Sequence, residues 1–143
     1  MSQQIFLQLG YAGGVIAATF LLHGVMILGG RLLFPYLSGR EGVTALLSDT
    51  VRLVVLSLWL MLAHVVSVGF WAWLYHHVGM NPTVEEALYF AFTTYTTLGF
   101  GDIVPPQDWR ILTGISSANG LLLFGLSAAV LVDATDRLRL KPQ

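Results

Sequence analysis

Three long apolar runs, at about 5–30, 53–75 and 111–132, set what this chain can become. Each exceeds the roughly 20 residues a helix needs to cross the hydrocarbon of a bilayer. Only 10% of the 143 residues are charged, against roughly a quarter in soluble domains. That is too little charge to clothe a surface in water. Within lipid a single segment satisfies its own backbone only as a helix. The expected fold class is an all-α membrane protein with three transmembrane helices. The first run does not read as a cleavable leader. It lacks a basic start (Met1-Ser2-Gln3-Gln4) and is longer than a signal h-region.

The basic residues orient the spans. They are Arg31, Arg40, Arg52, Arg110, Arg137, Arg139 and Lys141. With the linker 31–52 and the tail 133–143 in the cytoplasm, only Arg110 lies outside. The positive-inside rule then places the N-terminus outside and the C-terminus inside, in a cell (plasma or inner) membrane. Glu85, Glu86, Asp102 and Asp108 fall on the outer side, where an acidic mouth would gather cations. For Glu85 and Glu86 helix capping is the better reading. Pro82-Thr83-Val84-Glu85-Glu86 resembles a capping box, with Thr83 three residues before Glu86.

The helix that this box starts, 84–96, is too short to cross. It must stop at depth, with the negative end of its dipole toward the bilayer centre. Thr96-Thr97-Leu98-Gly99-Phe100-Gly101-Asp102 follows it. Irregular backbone at that depth survives only inside protein or lining water. The glycines accept dihedrals that other residues resist, so consecutive carbonyls of 97–101 can point one way. Four such strands around one axis would form oxygen rings in place of the water around a cation.

Thr97-Leu98-Gly99-Phe100-Gly101-Asp102 resembles the selectivity filter of the potassium-channel pore family, usually Thr-Val-Gly-Tyr-Gly-Asp. Ile103-Val104-Pro105-Pro106, Trp109 and Gly120-Leu121-Leu122-Leu123-Phe124-Gly125 are also similar to that family. The resemblance runs from about Leu53 to Leu131 and implies an ion-channel pore domain at 53–132. Its parts are an outer helix (53–75), a re-entrant pore helix (84–96), a filter (97–101) and an inner helix (111–132). It further implies a homotetramer that conducts potassium passively. The carbonyls of Thr97, Leu98, Gly99 and Phe100, with the Thr97 hydroxyl, would form the K+ sites. Gly101 would complete the outer turn. Thr96, Asp102 and Trp109 would support the filter. Gly120 would match the inner-helix hinge, or serve close packing instead. Phe124 would lie near the cavity or gate, or fill space between helices.

Three positions depart from the family pattern. Leu98 stands for the commoner valine. Phe100 stands for tyrosine and loses the hydroxyl that ties a filter to its surround. Thr93 occupies the pore-helix position where many relatives carry a carboxyl partner for Asp102. Tyr89 and Trp109 are the other bracing candidates.

The first helix, 1–30, has no counterpart in the two-helix pore. Gly10/Gly14 and Gly13/Ala17 are spaced for close helix approach, on its own or a neighbouring subunit. It has no arginine ladder and is not a voltage sensor. The linker 31–52 carries Leu32, Leu33, Phe34, Leu37, Val43, Leu46 and Leu47. It reads as an amphipathic connector at the inner surface, or as a segment that pushes on the pore. His23 and His64 lie inside apolar runs. Each is a functional suspect or a neutral imidazole bonded to a helix carbonyl. His76-His77 suggest metal or acid sensing, but adjacent positions do not face one way. Asn119 reads as a bond between inner helices or an amide in the cavity, and Ser116 and Ser117 carry similar alternatives.

No phosphate loop, zinc-ligand spacing or nucleophile–base pair is present, so no enzyme is expected. Cysteine is absent and net charge is −1, which gives no reason for disulfides or nucleic acid. The expected partners are the lipid bilayer, three further copies and a separate gating partner. No cofactor is expected, K+ being the permeant ion. Two alternatives stand beside a potassium-selective channel: a non-selective cation channel, and a non-conducting scaffold or accessory subunit that keeps the fold.

Overall fold

The computed structural model describes residues 2–33 and 43–139, with side-chain surroundings at 3–30 and 47–136. It contains helices α1 (Ser2–Leu33), α2 (Val43–His77), α3 (Val84–Tyr95) and α4 (Arg110–Arg139). A 3₁₀ turn at Gln107–Trp109 leads into α4. No strand occurs among the described residues. Three stretches, Gln3–Gly30, Leu47–His77 and Gln107–Asp136, are long and apolar enough to cross a membrane. The all-α fold with three spans and one short helix is the one expected.

The outer helix starts earlier than its apolar run. Residues 43–52, assigned to the linker, belong to α2. No glycine or proline interrupts them, and Arg52 pairs with Asp49 at 2.9 Å one turn away, which favours helix. At 1.5 Å per residue α2 is roughly 50 Å long, well beyond a hydrocarbon core of about 30 Å. Residues 34–42 of the linker lie outside the described residues. So do the side chains of Leu32, Leu33, Val43 and Leu46, while Leu47 is exposed. The inner helix likewise continues to Arg139, through most of the tail.

A glycine ends α2. Gly79 takes φ +75°, Met80 N–H donates to Tyr75 O at 2.9 Å and Gly79 N–H to His76 O at 3.1 Å. This pair of bonds around a left-handed residue is a Schellman motif. The short turn then delivers the chain to Thr83. Its extended backbone and side-chain oxygen, which accepts from Glu86 N–H at 3.2 Å, start α3.

Helix α3 is wedged between α2 and α4, and α1 packs across α2 and α4. The core between them holds Trp71, Tyr75, Phe90, Tyr95, Leu112 and Leu123. Large apolar side chains such as Leu21, Leu58, Trp73 and Leu122 point outward, as suits lipid. Lipid is as apolar as leucine, so helices there associate through packing and hydrogen bonds rather than the hydrophobic effect.

Helix α1 shows this rule. Its buried face carries Gln8, Ala12, Val15, Thr19 and His23. Gln8 Oε1 accepts from Leu112 N–H at 2.9 Å, capping the start of α4. Thr19 donates to Asn119 Oδ1 at 3.2 Å. Near the other end Trp59 Nε1–H donates to Met26 O at 2.8 Å. Gly10, Gly13, Gly14 and Ala17 instead lie exposed. Gly10 and Gly14 border a groove against Phe70, Trp73 and Leu74 of α2, while the buried seam carries the polar groups, which in lipid must find partners.

Candidate functional site

The run after α3 has an alternating backbone. Thr97, Gly99 and Gly101 take φ of +60°, +51° and +81°, while Leu98 and Phe100 keep negative φ. Alternation of left- and right-handed residues turns successive N–H groups to one side, and successive carbonyls to the other. The N–H side is identifiable. Thr97 N–H donates to Thr94 O at 3.0 Å and Gly99 N–H to Thr93 O at 3.0 Å. Both amides point back into the end of α3, so the carbonyls of the run face away from it. The last turn of α3 therefore spends two of its free carbonyls on the run that follows. Thr94 O also accepts from Ser117 Oγ of α4 at 2.7 Å. Thr96 closes the helix by donating its hydroxyl to Phe92 O at 2.7 Å.

Thr97 is the one non-glycine among the described residues with positive φ. For a β-branched residue this is a strained conformation, costing roughly 1–2 kcal/mol. Such strain persists only where the surroundings over-determine it, and it clusters at functional sites.

Asp102 is braced from α3. The Tyr89 hydroxyl donates to Asp102 Oδ2 at 2.5 Å. That bond holds the Asp102 carboxyl below the usual carboxylate range and pushes the Tyr89 phenol up. Of the two bracing candidates, Tyr89 makes the contact. Trp109, expected to support the filter, is turned instead toward α1, with its ring 6.4 Å from that of Tyr11. Thr93 bonds its own helix, donating to Phe90 O at 3.0 Å.

Gly120 marks a close approach. A Cβ there would lie 2.0 Å from Tyr95 O and 2.9 Å from Tyr95 C. The backbone of α4 thus touches the end of α3, and close packing explains the glycine without a hinge. Asn119, a candidate for the cavity, lies elsewhere. It is 2% exposed, and its Oδ1 accepts from Trp71 Nε1–H at 3.0 Å and from Thr19. It joins α4 to α2 and α1, because α1 supplies a hydroxyl on that face. Ser116 is likewise buried and accepts from the Tyr75 hydroxyl at 2.6 Å. Phe124 stacks on His64 with centroids 4.1 Å apart, while part of its surface stays exposed in the single chain.

The histidines separate. His23 Nδ1 meets its own helix at Thr19 O, 2.9 Å away. His64 meets two hydroxyls, Tyr95 at 3.0 Å and Ser127 at 2.9 Å. His76 bonds Asn81 O at 3.1 Å, while His77 stacks on Trp73. The adjacent pair thus faces two ways, and no group of three or more metal-ligating residues occurs among the described residues. Sequence reasoning missed Tyr95, whose signal was a phenol in the last, deepest turn of α3.

A capped half-length helix, an extended run of alternating φ and a long helix crossing behind them form one unit. Residues 63–137, more than half of the chain, match the model of a protein family described as ion channel. The chain belongs to this ion-channel family. The match takes in the C-terminal part of α2, from residue 63, all of α3 with the run that follows, and nearly all of α4. It identifies these as the two-helix pore domain and leaves α1 as an addition before it. Three apolar helices and membership of this family make the protein an integral membrane protein. Comparison with curated proteins and with solved structures gave no match.

Proposed function

We propose that four copies of this chain assemble around one axis into a potassium-selective channel. The observation that carries this reading is the alternating sign of φ at 97–101, with the amides of Thr97 and Gly99 tied back to α3. The carbonyls of Thr97, Leu98, Gly99 and Phe100, with the Thr97 hydroxyl, replace the hydration shell of K+. Gly101 turns the strand outward, and Asp102 is held at the mouth by Tyr89. One strand per chain closes a ring only when four chains meet. Exposure of Leu98 (58%) and Phe100 (66%) in the single chain supports that assembly, since large apolar side chains beside a polar strand call for neighbours. The N-terminus lies outside and the C-terminus in the cytoplasm, so the mouth with Asp102 faces outward. Conduction is passive, and no catalytic step is assigned to any residue.

The test is ion flux into liposomes holding the purified protein. Potassium passes well over sodium, and barium blocks the flux. Equal fluxes of the two ions would replace this reading with a non-selective cation channel. No flux of either from a well-formed tetramer would leave a scaffold.

A further inference from the structure

The added helix α1 and the end of the pore helix meet at one side chain. His64 is 5% exposed and bounded by all four helices. Its Nδ1 faces the Tyr95 hydroxyl of α3 at 3.0 Å, and its Nε2 the Ser127 hydroxyl of α4 at 2.9 Å. Phe124 of α4 stacks on one face, with centroids 4.1 Å apart and planes 15° apart. His23 of α1 meets the ring at 4.7 Å, edge to face. A neutral imidazole has one donor and one acceptor nitrogen. Two hydroxyls, each able to donate or accept, satisfy it in either tautomer. The ring therefore has its orientation fixed by partners on every side.

His23 is held differently. Its Nδ1 faces a carbonyl, which only accepts, so Nδ1 carries the hydrogen. Its Nε2 is then a buried lone pair with no partner. His23 thus presses on His64 through its ring rather than through a hydrogen bond, and α1 fixes it from behind.

Tyr95 is consequently pinned at both ends. Its hydroxyl is held by His64, and its carbonyl lies against Gly120. Thr93 and Thr94, two residues and one residue earlier, offer the carbonyls from which the amides of Gly99 and Thr97 hang. A rotation of this last turn would move the whole carbonyl row.

We infer that His64 is a positioning residue for the filter, holding the last turn of α3 through the Tyr95 hydroxyl, and that α1 backs it through His23. The inference rests on reading 97–101 as a potassium filter. The test is the ratio of K+ to Na+ flux in liposomes, measured on size-selected tetramers of the full chain. His64→Phe keeps the stack but loses both hydrogen bonds, and lowers the ratio about tenfold, the effect of about 1.4 kcal/mol. Tyr95→Phe lowers it as much, and the double variant no further. His64→Gln, which again offers one donor and one acceptor group, restores it. His23→Ala lowers it in the same direction. A wild-type ratio in Tyr95→Phe or in His64→Phe tetramers would overturn the inference. A wild-type ratio in His23→Ala would overturn the part given to α1. If His64→Phe does not assemble, Tyr95→Phe decides alone. If the wild type itself does not prefer K+, the channel reading falls, and the amide resonances of residues 97–101 in ¹⁵N-labelled protein judge the inference. They shift in Tyr95→Phe if His64 positions the strand, and stay in place if it does not.

Discussion

Replacing Gly120 with alanine sets two known effects against each other. In a helix interior alanine is favoured over glycine by about 1 kcal/mol, so the substitution would stabilise an unobstructed helix. Here the new Cβ would meet Tyr95 O at 2.0 Å, whereas ordinary contact begins at 3.4 Å. The obstacle is backbone, fixed at the end of a capped helix, and cannot swing aside as a side-chain tip would. Helices α3 and α4 must therefore part by on the order of 1 Å. Overpacking of this kind costs about 1–3 kcal/mol, and a rigid obstacle puts it at the upper end. After the propensity gain, a net loss of about 2 kcal/mol remains, a factor of about 30 in the folded ratio. The assay is thermal melting of the detergent-solubilised protein, paired with potassium flux in liposomes. Gly24 in α1 has nothing within 4 Å of its missing Cβ, so Gly24→Ala is the matched control and melts no lower than wild type. A Gly120→Ala protein that melts at or above wild type and conducts normally would refute the close-approach argument.

Further outcomes follow from other contacts. Tyr89→Phe removes the hydrogen bond that depresses the Asp102 pKa. A depressed carboxylate keeps its bond at neutral pH and loses it as pH falls through the lowered pKa. The acid midpoint for loss of flux therefore moves to higher pH in the variant, and an unmoved midpoint would refute the link. Gln8→Ala leaves Leu112 N–H uncapped and costs about 1 kcal/mol in melting, with no change in the K+/Na+ ratio. Asn119→Leu leaves the Trp71 donor without its acceptor, Thr19 keeping Ile16 O at 2.9 Å, and costs about 1–3 kcal/mol. Loss of ion preference at unchanged stability would return Asn119 to the cavity.

Along the chain, the sequence was a good guide. Apolar length located the three spans, and Thr83 with Glu86 located the start of α3. Thr96 to Asp102 announced an unusual backbone through its two glycines. Across the chain it was a poor one. In water an apolar stripe marks the face of a helix that is buried. In lipid both faces are largely apolar, so the apolar residues of α1 and α4 do not tell inside from outside, and only the few polar ones mark the buried face. That is why Asn119 allows either a bond between inner helices or a place in the cavity, whereas it bonds Trp71 and Thr19 of the subunit's other helices. It is also why the small residues of α1 suit a seam on its own or a neighbouring subunit, whereas the buried seam within the subunit carries Gln8, Thr19 and His23. Gly120 was ambiguous for a related reason: a glycine records that space is short, but not which backbone has taken it. The partner of His64 is 31 residues away in Tyr95, and no local pattern encodes such a pairing.

The polar seam of α1 has a consequence for how the protein is made. Gln8 finds its partner in Leu112, 104 residues later in the chain, and Thr19 waits for Asn119, 100 residues later. At synthesis rates of about 5–20 residues per second, α1 is complete on the order of ten seconds before α4 can meet it. During that interval Gln8 stands on a helix in lipid without its final partner, while Thr19 and His23 already bond their own helix at Ile16 O and Thr19 O. The helix added before the pore domain is thus inserted with a polar group still waiting for shelter, and α4 supplies it.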